Sequence, residues 1–165
     1  MNWPAPGVSP VSALVVEPDE ADRMFFVTTL MSAGVHVVEA DNFRSARALL
    51  EARPPQLLLT EIQLGPDNGL HLALLGRLMS PQMSLVVTSR VGDLVLQQYG
   101  ETFGAVFVQK PMTQGDLFTA LVLAATREPI VTREVASATP NLRGRRCKRR
   151  RRDIASFLLL EALQR

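Results

Sequence analysis

Short apolar runs rich in branched residues alternate with stretches of helical spacing along most of this chain. Residues 12–17 form the first such run and read as a buried strand. Asp19, Glu20 and Asp22 then supply acids suited to a helix start, and Met24, Phe25, Val27, Leu30 and Met31 recur at helical spacing until Gly34 closes the helix. A second strand is expected over 35–40. Asp41 or Asn42 caps a helix carrying Phe43, Ala46, Leu49 and Leu50, which ends before Pro54 and Pro55. The third strand spans 56–61, and residues 65–69 (GPDNG) make a turn-forming loop. A helix over 70–79, a strand over 83–89, a weaker helix over 91–102, a strand over 104–109 and a helix over 116–126 complete the series.

Strands that alternate with helices of this length predict an α/β fold: a five-stranded parallel sheet with helices on both faces. In an open sheet of that kind the working site lies at the carboxyl ends of the strands. Glu17, Glu61, Thr88 and Lys110 all fall at such ends, which is the physical reason to treat them as a set.

Four segments carry a resemblance: 15–19 (VVEPD), 60–61 (TE), 88–89 (TS) and 110–111 (KP). Their spacing, with Gly69 eight residues beyond Glu61, resembles the receiver domain of bacterial two-component response regulators over about residues 13–125. The resemblance implies a flavodoxin-like fold and phosphorelay-type signal transduction through protein–protein contact rather than catalysis. It implies a pocket in which acids after the first and third strands hold Mg²⁺ and the acid after the third accepts phosphate. Thr88, Lys110 and Pro111 match the family's residues after the fourth and fifth strands, and Phe107 matches its switching aromatic. Glu17 matches the first acid.

Two positions depart from that pattern. Pro18 stands where the family has a second acid, and proline offers a metal no side-chain oxygen. Asp19 is next along, on the helix start and facing another way, and is the candidate second acid of the pocket beside Glu17. Glu61 stands at the phosphoacceptor position, where its additional methylene displaces the carboxylate from the geometry of in-line attack. It also brings that carboxylate toward Lys110. A pair at ~4 Å is worth about 4 kcal/mol of Coulomb attraction at an effective dielectric near 20, before desolvation is subtracted. Glu17, Glu61 and Lys110 sum to −1, against −2 for three acids and a lysine. Mg²⁺ binding at Glu17 and Glu61 is therefore expected to be weak or lost, and no other cofactor is expected. The expectation is a pseudo-receiver, impaired in phosphorylation, in which Glu61 holds Lys110 as a phosphoryl group would. A plain structural ion pair, a strand-forming Thr88 and a core Phe107 are the plainer alternatives.

Charge divides the chain in two. Residues 1–142 hold nine Lys/Arg against fourteen Asp/Glu, a net of −5, whereas residues 143–165 hold nine against two, a net of +7. The expected organisation is an N-terminal extension over 1–10, a receiver domain over 11–127, a linker over 128–142 and a basic tail over 143–165. Within the tail, Arg145, Arg146, Lys148, Arg149, Arg150, Arg151 and Arg152 are candidate contacts for nucleic acid or a partner protein, and an anionic membrane surface is a third option. Residues 153–165 suit a short apolar helix, for which partner docking, self-association and packing on the receiver are all open. A nucleic-acid-associated transcriptional regulator is the alternative function. The expected protein partner is a histidine kinase or a downstream regulator.

No apolar run approaches the roughly 18 residues of a membrane span, residues 1–10 lack a leader pattern, and Cys147 is the single cysteine, so a cytoplasmic location is expected. No GxSxG, GxxxxGK or GxGxxG pattern occurs, which leaves little support for a hydrolase or nucleotide-binding enzyme.

Overall fold

The computed structural model describes residues 11–127. The N-terminal extension, the linker and the basic tail with its apolar helix lie outside the described residues. The elements run β1 (Ser12–Val16), α1 (Glu20–Ser32), β2 (His36–Ala40), α2 (Phe43–Ala52), β3 (Leu57–Glu61), β4 (Gln63–Leu64), β5 (Asp67–Asn68), α3 (Gly69–Met79), β6 (Ser84–Ser89), α4 (Leu94–Thr102), β7 (Val106–Gln109) and α5 (Gln114–Thr126). Five strands pair in parallel in the order β2-β1-β3-β6-β7. The α/β architecture expected from the alternating pattern is present.

Both sheet faces are covered, which explains why the central strands are apolar at nearly every position. Along β1, Ala13 and Val15 face one way, with Leu57 and Leu59 of β3 and with Phe26, Leu30, Leu117 and Leu121 from α1 and α5. Leu14 and Val16 face the other way, with Leu58, Leu85 and Val87 and with Leu50, Leu70 and Leu72 from α2 and α3. Each such leucine or phenylalanine contributes about 1.5–3 kcal/mol of burial. Helix α4 is different: Gly100 is its one buried residue, while Leu94 and Val95 are 71% and 74% exposed.

Local signals set the ends. Asp19 caps α1 by accepting from the backbone N–H of Asp22, and Asn42, rather than Asp41, caps α2 by accepting from that of Ser45. Two helix starts differ from the sequence expectation. Asp93 accepts from Val95 and Leu96 N–H, so α4 begins at Leu94 and not at residue 91. Thr113 and Asp116 form a reciprocal capping box, so α5 begins at Gln114. The expected loop after β3 is partly ordered as a small antiparallel hairpin, β4 against β5, turning through Gly65 at φ +70°.

Gly69 opens α3 beneath the end of β3, and its N–H donates to Ile62 O at 2.8 Å. A Cβ there would lie 1.9 Å from the Glu61 carbonyl oxygen and 2.7 Å from Thr60 Oγ1. Gly69→Ala is therefore expected to cost about 3 kcal/mol or more in urea denaturation. Gly115→Ala, whose Cβ meets only Thr113 Oγ1 at 3.6 Å, should instead stabilise α5 by about 0.5 kcal/mol.

Candidate functional site

The parallel register places the carboxyl ends of β1, β3, β6 and β7 side by side. Glu61 pairs in register with Thr88, and Ser89 with Gln109, so Lys110 follows directly at the end of the sheet. Glu17 is fixed one residue beyond β1 by its N–H bond to Ala40 O at 3.0 Å. Glu17, Glu61, Thr88 and Lys110 are all buried.

Lys110 is the centre of this group. Its Nζ lies 2.6 Å from Glu61 Oε2, 2.8 Å from Glu17 Oε2 and 3.0 Å from Asp22 Oδ2. The remaining carboxylate oxygens are tied to backbone: Glu17 Oε1 accepts from Asp19 N–H at 3.1 Å, and Glu61 Oε1 from Gln63 N–H at 3.2 Å. Thr88 Oγ1 donates to Glu61 Oε2 over a long 3.4 Å. Arg90 reaches in from beyond β6, with its Nη2 2.6 Å from Asp22 Oδ2 and 3.6 Å from Asp19 Oδ2.

Burial and pairing pull these groups in opposite directions. Burial pushes the Glu17 carboxyl above its ordinary range, and the hydrogen bonds from Lys110 and from Asp19 N–H only partly offset it. Burial also disfavours the Lys110 ammonium, but hydrogen bonds to Glu17, Glu61 and Asp22 outweigh it and hold the pKa above the ordinary lysine value. Asp19 is held low, chiefly by the N–H of Asp22.

The structure thus brings Glu17, Glu61, Thr88 and Lys110 together and keeps other expected residues apart. The Asp19 carboxylate caps α1 and faces Arg90 rather than Lys110. Pro18 is exposed and contributes only a carbonyl, which accepts from Arg23 at 3.3 Å. Pro111 follows Lys110 through a cis peptide and is also exposed. Phe107 is half-buried, packed against Gly100 of α4, where an added Cβ would come within 2.4 Å of its ring.

Sequence reasoning missed Asp22 and Arg90, so the expected set of three charges was too small. Asp22 carries the general signature of an acidic first helical turn, which concealed its contact with Lys110. Arg90 lies only two residues beyond Thr88, and that proximity was the signal available.

A metal fits this donor set poorly. Two of the carboxylate oxygens that would face it, on Glu17 and Glu61, already bind an ammonium at 2.8 and 2.6 Å, and residue 18 adds no side-chain oxygen. Among the described residues, no three His, Cys, Asp or Glu side chains are arranged to hold a metal ion. No helix among the described residues is long and apolar enough to cross a membrane.

Comparison with known proteins bears on the fold and the family. The family model described as the response regulator receiver domain matches residues 13–122. The chain belongs to that family. The receiver protein CpdR of Brucella abortus (strain 2308) is 36% identical over 73 residues, 44% of this chain and 61% of that protein. The match therefore spans less than two thirds of that relative. Among solved structures, a receiver protein from Sinorhizobium medicae WSM419 superposes with a TM-score of 0.66 at 24% identity, covering 72% of this chain and 98% of that one. A receiver protein from Pseudomonas putida gives 0.58 at 27% identity, covering 68% and 96%. The flavodoxin-like receiver fold and its place in two-component signalling follow; receiver domains are signalling modules rather than catalysts.

The Lys110 cluster makes stability depend on pH in a defined direction. A pKa raised on folding stabilises the native state fully below the ordinary lysine value of 10.5 and loses that contribution as pH rises through the raised value. Unfolding should therefore steepen above pH 10.5. Lys110→Met removes that alkaline loss and leaves buried carboxylates without their cation, at a cost of about 3 kcal/mol near pH 8. The Glu17 carboxyl, already raised by burial and now without its lysine, then takes up a proton on folding, so the variant should gain stability from pH 8 to pH 5 in urea denaturation.

Proposed function

We propose that this receiver signals through protein–protein contact with a phosphoryl switch that is impaired from within. The observation that carries the reading is the 2.6 Å contact between Lys110 Nζ and the carboxylate of Glu61, the residue at the acceptor position. In the receiver resemblance this lysine pairs with the phosphoryl group. Here a carboxylate of the chain itself occupies it, aided by Glu17 and Asp22. An incoming phosphoryl group competes with this contact and must displace a buried, hydrogen-bonded ion pair before it gains Lys110. Pro18 removes one oxygen from the set that would draw Mg²⁺, so the metal is weakened or lost as a partner.

The state is read out through the ends of β6 and β7. Thr88 bonds to Glu61 across 3.4 Å, and Phe107 packs against Gly100, so the paired strands β6 and β7 carry one side chain to the pocket and one to α4. A signalling protein, either a histidine kinase or a downstream regulator, is the partner this reading calls for.

A second reading rests on the charge asymmetry of the sequence: the run from 143 to 152 binds nucleic acid. Binding that falls steeply with salt and disappears on deleting that run would favour it.

Amide NMR spectra of the full chain with Mg²⁺ and beryllofluoride, a phosphoryl mimic, test the main reading. The unmodified protein should show no shifts at Glu61, Thr88 or Lys110. The double variant Pro18→Asp, Glu61→Asp should show them, and should accept phosphate from an acyl phosphate donor. Phosphate uptake by the unmodified protein, or an inert double variant, would falsify the reading.

A further inference from the structure

Asp22 Oδ2 is a single atom shared by two cations, Lys110 Nζ at 3.0 Å and Arg90 Nη2 at 2.6 Å. Those cations come from different parts of the fold, one following β7 and the other following β6, while Asp22 belongs to the first turn of α1. The bridge therefore crosses the carboxyl end of the sheet, from the β6–α4 connection to α1. Burial falls off along it: the Lys110 side chain is 5% exposed, Asp22 28% and Arg90 61%. This gradient places Arg90 at the mouth and Lys110 at the floor.

We propose that Arg90 and Asp22 form a strap that excludes divalent cations from the pocket, with Asp22 supplying the acid that Pro18 lacks. The inference rests on the reading that the pocket is held from within, and it adds Arg90, to which that reading gives no part, and a second role for Asp22.

Charge and geometry both support it. Glu17, Glu61 and Asp22 against Lys110 and Arg90 leave −1, so a cation drawn toward the carboxylates meets Arg90 at the mouth and finds Lys110 already seated at the floor. Without Arg90 the same set carries −2, the charge of three acids and one lysine. Asp19, which faces Arg90 at 3.6 Å, would then also lose its nearest cation. Asp22 Oδ2 cannot serve a metal while Arg90 and Lys110 share it. The strap thus keeps the third acid close to the pocket and unavailable at the same time. Arg90 and Asp22 are positioning and selectivity residues on this account; neither needs to touch a phosphoryl group.

Mn²⁺ is the probe, titrated into the full chain and followed by paramagnetic broadening of the Glu61, Thr88 and Lys110 amide signals. Arg90→Ala should bind Mn²⁺ at the pocket about tenfold more tightly than the unmodified chain, because one unit of repulsion at short range is gone. Combining it with Asp22→Asn should abolish the gain. Equal affinities in Arg90→Ala and the unmodified chain overturn the proposal. So does a gain that survives Asp22→Asn, since Arg90 would then act as a general surface charge, and so does broadening located away from the pocket. Both side chains reach solvent, and Arg90→Gln provides a second neutral variant if Arg90→Ala fails to fold. Phosphoryl uptake by the unmodified chain would sink the pocket reading without altering the Mn²⁺ comparison, so the two failures are distinguishable.

Discussion

An ammonium group removed from water must be neutralised where it lies, and at the end of this sheet that requirement governs everything around Lys110. Three carboxylates from three separate elements converge on one nitrogen within 3.0 Å. Glu17 and Glu61, if left alone at that depth, would be expensive to keep charged, while Asp22 keeps some contact with solvent. Together they form a set that is tolerable only while complete. The raised pKa of Lys110 and the raised pKa of Glu17 express the same balance: pairing wins at the lysine, and desolvation wins at the glutamate.

The fold is arranged so that this set is complete by construction. Parallel strands that start in register end in register, so side chains remote in sequence arrive at one edge without long loops to place them. Gly69 lets α3 begin directly against the Glu61 carbonyl, fixing the backbone from which the acceptor-position carboxylate projects. Two face-specific cores, one under α1 and α5 and the other under α2 and α3, hold the strands that carry these residues.

Much of this was legible in the chain because it depends on period and spacing. Apolar runs at strand length, bounded by turn residues, marked the five sheet strands, and the run ends marked Glu17, Glu61, Thr88 and Lys110. What stayed hidden depends on direction rather than order. An acid in the first turn of a helix is favoured for its effect on the helix end alone, so nothing in the sequence separated Asp22, which turns toward Lys110, from Asp19, which turns back to cap the helix. Helix starts shifted for a similar reason. Asp93 and Thr113 compete with neighbouring residues as caps, and only the bonds actually formed decide between them. The β4–β5 hairpin is two residues a side, too short for any period to announce it.

Helix α4, with one buried residue, has a consequence of its own. A helix of nine residues is too short to persist in water by itself, so its order is borrowed from what it touches. Its attachments include the Asp93 cap at one end, Leu96 against the core, and the Phe107 ring against Gly100 toward the other end. Local stability in a domain follows buried apolar contact, and by that measure α4 is the helix whose opening costs least while the sheet stays intact. The domain therefore has a stiff floor, where charge is held, and one loosely held wall beside it. A change of only a few interactions at the ends of β6 and β7 can alter how often that wall is open.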